Sequence, residues 1–175
     1  MSRRLLHALE LIILVTLANA QTSAPPQVPD AIKAPAGEQV LLKAHASGFQ
    51  VYTCQAGADN KLSWTLKAPE AELHDDQGAT IGQHFAGPTW QLKDGSQVAG
   101  KVVARMDSPD ADAIPWLLLS ASGHAGNGVL SRVTSVQRIH TQGGKAPLAG
   151  CDTDHHDAET KIKYSADYYF YAPER

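Results

Sequence analysis

His84-Phe-Ala-Gly-Pro-Thr-Trp-Gln-Leu-Lys-Asp-Gly-Ser96 decides the fold class. Pro88 removes a backbone donor and forbids a helix around it, so the segment turns a corner at Gly87-Pro88. Trp90 and Leu92 then project to one side of an extended run, since strand side chains alternate. Asp94-Gly95 is a strong hairpin signal, because the tight turn that joins two strands needs positive φ. Corner, short strand and hairpin in thirteen residues is the grammar of an all-β chain.

The flanking sequence extends that reading. Gln39 to Ala46 alternates, with Val40, Leu42, Ala44 and Ala46 on one face. Gly48 is expected to break this strand, and Phe49 to Cys54 to start a second one antiparallel to it. Leu62-Ser-Trp-Thr-Leu66 gives a third strand, and a short strand over 68–73 turns at Gly78 into Thr80-Ile81. Gln97 to Met106 returns from the hairpin with a bulge at Gly100. Ile114 to Leu119 reads as a strand buried on both faces, Pro115 at its first position. Residues 123–128 read as a loop, and Val129 to Ile139 as a further strand. After a long loop over 147–157, Tyr164 to Tyr171 closes the chain. It puts Tyr164, Ala166, Tyr168 and Phe170 on one face, with Tyr169 and Tyr171 opposite. The sum is a single-domain antiparallel sandwich or barrel of about eight or more short strands, over residues 31–175.

The start of the chain is of another kind. Arg3 and Arg4, an apolar run from Leu11 to Ala18, and Ala18-Asn19-Ala20 predict a signal peptide over 1–20. The run is far shorter than a spanning helix needs, so no membrane insertion is expected after cleavage. Residues 21–30 read as an extended Pro-rich arm. The expected location is secreted or periplasmic. In such a compartment Cys54 and Cys151, the only two cysteines, are expected to form one disulfide. It would staple an early strand to the loop before the last one. The net charge of −3, without a basic run, excludes nucleic acid and anionic membrane surfaces as natural partners.

Three sets of residues carry chemistry. His84 precedes the Gly-Pro corner, and with Trp90, Asp94 and the acids Asp75 and Asp76 it forms the candidate ligand site. The competing reading of His84 is a ring hydrogen-bonded to backbone at the corner. Asp152, Asp154 and His156 lie in a ligand-dense loop and are the candidate metal ligands. That loop departs from a calcium pattern, because His156 stands where a third acid belongs and no glycine follows. Trp90, Trp116 and the run Tyr168 to Tyr171 offer aromatic surface for a sugar or a small molecule. No nucleophile elbow, zinc helix or free thiol accompanies them, so no catalytic residue is assigned. The expected function is an exported non-catalytic β-domain binding a small molecule or glycan, without a cofactor. Two alternatives stand beside it: a metal-assisted hydrolase using His84 and the 152–157 loop, and a structural or envelope-associated protein.

Several segments resemble one known family. Gly48-Phe-Gln-Val-Tyr-Thr-Cys54, Ile81-Gly-Gln-His84 with Gly87-Pro-Thr-Trp90, and Asp94-Gly-Ser96 carry the first half of the likeness. Ile114-Pro-Trp-Leu-Leu118, Gln142-Gly-Gly-Lys-Ala-Pro147 with Gly150-Cys151, and Ala166-Asp-Tyr-Tyr-Phe-Tyr171 carry the second. In this order, from about Val28 to Pro173, they resemble the domain of unknown function 3455. The resemblance implies an exported protein from a family without an established activity, and it transfers no site residue.

Overall fold

The alternation that begins at Glu38 does not stop at Gly48. In the computed structural model, which describes residues 24–174, it runs on as one strand, β1 (Glu38–Ala56). The expected pair of strands is thus a single one. Gly48 is there because the neighbouring strand crosses too close for a side chain. A Cβ at that position would sit 2.8 Å from the Ala71 Cβ and against the Glu70 carbonyl.

Seven more strands follow: β2 (Leu62–His74), β3 (Thr80–Phe85), β4 (Thr89–Leu92), β5 (Gln97–Met106), β6 (Trp116–Ala125), β7 (Ser135–Gly143) and β8 (Glu159–Pro173). Each pairs antiparallel with the next, and β8 returns to β1, so the eight strands close an up-and-down barrel. The expected bulge at Gly100 is present as a register shift between Ala99 and Gly100. Other boundaries differ from the sequence reading: the strands expected over 62–66 and 68–73 are one, β2, and β6 begins at Trp116, after Pro115. β6 runs through the expected loop as far as Ala125. The expected strand over 129–139 splits into a 3₁₀ turn, Val129–Arg132, and the first half of β7. The predicted signal peptide, residues 1–20, lies outside the described residues.

Cross-strand register shows which residues face the lumen, because directly opposed residues share a face. One ring of partners runs Gly48, Ala71, His84, Trp90 and Val98, and Gly48 also faces Tyr164 across the closing seam. A second seam aligns Ala44, Tyr168, Arg138 and Leu117. At one end the lumen is packed solid by Leu73, Leu92, Val98, Phe170 and two residues of the β6–β7 connection, Leu130 and Val133. This closed end also holds the β2–β3 and β4–β5 turns. The other end, the mouth, is rimmed by the β3–β4 corner and by the connections before β6 and β8.

Outside the barrel a second apolar cluster covers β5–β8. Ile32, in the 3₁₀ turn Asp30–Ile32, packs with Val28 against Val40, Leu118, Ile139, Tyr169 and Tyr171. Gln137 Nε2 donates to the Ile32 carbonyl at 2.6 Å, and Tyr171 OH donates to Gln137 Oε1 at 3.0 Å. The described part of the expected arm is therefore a strap on the barrel wall, and Tyr169 and Tyr171 lie beneath it or at its edge. The disulfide joins Cys54 of β1 to Cys151 in the loop before β8, with Cα atoms 5.3 Å apart. Tyr52 OH donates to the Gly144 carbonyl at 2.5 Å and Trp64 Nε1 to that of Ala149 at 2.9 Å. Three links thus tie this mouth loop to β1 and β2.

Candidate functional site

A barrel of eight strands has an interior just wide enough to be filled by side chains or to hold one small ligand. Here the closed half is filled and the mouth half is not. Small residues contribute locally: Ala68 lines the space, and a Cβ at Gly100 would stand 3.0 Å from the Trp90 ring and 3.1 Å from Leu119. A cavity of about 480 Å³ results. Trp90, Leu117, Leu119 and Ile114 give it apolar walls, while Gln50, Tyr52, His84, Tyr168 and Arg138 bring polar groups to it. A larger concavity of about 900 Å³ is also bordered by His84, but it is a broad open groove edged by Glu70, Glu72 and Lys163.

His84 and Trp90, opposed on β3 and β4, stack with ring centroids 4.5 Å apart and planes 5° from parallel. Tyr168 meets both rings edge-on, at 5.1 and 5.3 Å. His84 Nδ1 lies 2.9 Å from the Thr89 carbonyl. A carbonyl only accepts, so this nitrogen carries the proton and the tautomer is fixed. Burial drives the ring's pKa down to about 3, so His84 is neutral at physiological pH. The backbone bond is the one that the competing sequence reading of His84 describes.

Arg138 enters the lumen from β7. Its Nε and Nη2 both donate to the Pro115 carbonyl, at 3.1 and 2.8 Å. Among the described residues no carboxylate lies within ion-pair distance of it. Burial raises the phenols of Tyr164 and Tyr168 above the ordinary tyrosine range, so both stay protonated. Six buried side-chain polar atoms lack a partner among the described residues, and four belong to inward-facing residues: Gln50 Nε2, Trp90 Nε1, Tyr164 OH and Tyr168 OH. Three of these, on Gln50, Trp90 and Tyr168, belong to the 480 Å³ cavity, while Tyr164 lines the open groove; unmet polar groups gathered on one cavity mark a place where something else completes the bonding.

The other sequence candidates lie elsewhere. Asp94 is at the closed end, where Oδ1 accepts from the Ser96 hydroxyl and N–H and Oδ2 from Val129 N–H. With Ser96 Oγ accepting from Leu130 N–H at 3.1 Å, it fixes the turn that plugs the barrel. Asp75 accepts from Gln77 and Ala79 N–H in the β2–β3 turn. Asp76 pairs with Lys43 and His45 on the outer wall, at 2.9 Å each. Neither acid meets His84. Asp152 accepts from Asp154 and His155 N–H and from the His155 ring, and His156 pairs with Asp157. Among the described residues no group of three or more His, Cys, Asp or Glu is placed to hold a metal ion. Gln50, Tyr52, Tyr164 and Arg138 were absent from the sequence candidates. The readable signal for Arg138 was its parity with Val136, which puts a charge on the apolar face of a strand.

Residues 35–172 match the model of a family described as a protein of unknown function, DUF3455. The chain belongs to the DUF3455 family. No curated protein and no solved structure matches it. The match covers all eight strands of the DUF3455 barrel up to Ala172 in β8 and begins at Pro35, after the strap.

Proposed function

We propose that this DUF3455 protein is a binding protein that takes one small, largely apolar molecule into the mouth half of its barrel. The half-empty lumen carries the reading: a packed floor, an aromatic wall and about 480 Å³ of space above them. That volume is in the range of small-molecule sites.

The chemistry of the wall favours binding over turnover. His84 titrates near 3, burial raises Tyr168, and among the described residues no Asp or Glu lines the cavity. Neither His84 nor Tyr168 changes protonation around neutral pH, as a general acid or base must. The outward positions of β1, β2 and β8 include Lys43, Glu70, Glu72, Lys161 and Lys163, which suits a barrel facing water rather than lipid. Among the described residues no helix is long and apolar enough to cross a membrane. The disulfide supports a working place outside the reducing cytosol, as the leader sequence does.

Trp90 makes the test direct, because it is buried in the cavity wall while Trp64 and Trp116 are only partly buried. Titration with neutral and ionised aliphatic and aromatic compounds is expected to give saturable changes in tryptophan emission. Those changes should vanish when Leu119→Trp fills the cavity. A flat response across the whole panel overturns the proposal.

A further inference from the structure

The charges around the cavity are all of one sign. The chain has 18 acidic residues against 15 lysines and arginines, yet the charged residues that line the cavity are Lys67, Arg105 and Arg138. Lys67 is neutralised by Glu159 across the β1 seam, outside the lumen. Arg105, at the rim, and Arg138, inside, have no carboxylate partner among the described residues. The Pro115 carbonyl satisfies two N–H groups of Arg138 but leaves its charge unbalanced.

The unmet hydrogen-bonding capacity points the same way. Gln50 Nε2 and Trp90 Nε1 can only donate, and the Tyr168 hydroxyl, buried beside Arg138, can donate. Gln50, Trp90 and Tyr168 are each at most 2 % exposed, so water does not serve them freely. A site with a free cation, several idle donors and no acid asks for a ligand rich in lone pairs and negative charge. A carboxylate has two oxygens and about four lone-pair sites, and it pairs with the guanidinium in a planar fork. The walls beyond, Leu117, Leu119 and Ile114 with the Trp90 ring, ask for a hydrocarbon or aromatic body.

Resting on the binding function proposed above, we infer that the ligand is an amphipathic organic acid, its carboxylate held by Arg138 and the lumen donors and its apolar body against Trp90 and the leucines.

Matched pairs test this: decanoate against decanol, and 2-naphthoate against 2-naphthamide, followed by calorimetry and tryptophan emission at pH 7. Each acid is expected to bind at least about tenfold more tightly than its neutral partner, the scale of a hydrogen bond to a charged group. Arg138→Met should level each pair by weakening the acid alone, and Arg138→Lys should keep part of the preference. The unmodified protein provides a second measure if Arg138→Met fails to fold. Lowering the pH through the ligand's own carboxyl pKa, about 4–5, should weaken the acid and leave the neutral partner unchanged. Equal binding within both pairs overturns the inference and leaves the binding function standing. So does an acid preference that survives Arg138→Met. Failure of all four compounds to bind removes the proposed function, and the inference with it.

Discussion

His84 lies flat on Trp90 with Nδ1–H committed to the Thr89 carbonyl, so the folded barrel holds it neutral, with a pKa of about 3 against 6.5 in an open chain. The unfolded chain takes up a proton as pH falls through 6.5, and the folded one does not until about 3. Stability is therefore complete above 6.5 and lost progressively between these values. From pH 7 to 4.5 this single group is expected to remove about 2–3 kcal/mol, at 1.4 kcal/mol per unit. Urea unfolding at both values should show that slope, and His84→Phe should flatten it by that amount. Asp94 works at the other end. The Ser96 hydroxyl, then Val129 and Ser96 N–H, hold its carboxyl below the usual range. Asp94→Ala should cost about 1–3 kcal/mol in denaturant unfolding, because Val129 N–H and the Ser96 hydroxyl lose their acceptor. It should leave ligand affinity unchanged, since Asp94 braces the plug and touches nothing in the cavity. Asp94 was readable as a turn residue, whereas a role in binding was not supported by its place at the closed end.

Glycines in strands carry two different meanings here, and the sequence does not separate them. Gly48 and Gly123 both lie inside strands, β1 and β6. At Gly48 the Ala71 backbone and the Glu70 carbonyl fill the space a Cβ needs, whereas nothing lies within 4 Å of a Cβ at Gly123. Gly48→Ala is accordingly expected to destabilise by about 1–3 kcal/mol through overpacking, and Gly123→Ala to be neutral or stabilising. Thermal midpoints of the two variants decide it. The period-2 pattern itself crosses Gly48 without a phase change, since Ala44, Ala46, Gln50 and Tyr52 keep one parity and one face. That parity was the legible sign of a single long strand. The mouth loop depends on tertiary links instead. The disulfide closes 97 positions, for which chain entropy gives about 4–5 kcal/mol. Reduction, or Cys54→Ser with Cys151→Ser, is expected to lower the melting temperature markedly, as calorimetry with and without reductant would show.

For the whole molecule, an antiparallel all-β fold of about eight or more strands and the Cys54–Cys151 pairing could be read from turn signals and composition. Closure into a ring could not, because nothing local distinguishes a strand that ends a sheet from one that meets its far edge. The same holds for the site. Gln50, Arg138 and Tyr168 come from β1, β7 and β8, and only closure brings them to one lumen. Asp152, Asp154 and His156 stand together in one short stretch, whereas His84, Trp90, Gln50, Tyr168 and Arg138 meet only through distant strands.

The seam between β1 and β8 has a consequence for the order of events in synthesis. It pairs Glu38 with Pro173 and Thr53 with Glu159, and Glu174 N–H reaches the Gly37 carbonyl at 2.9 Å. β8 must be made before β1 can meet its second neighbour. Until then a nineteen-residue strand has one bare edge, and β7 has another. Contacts this distant in sequence form slowly. The ring therefore closes only once β8, the last of the eight strands, has left the ribosome.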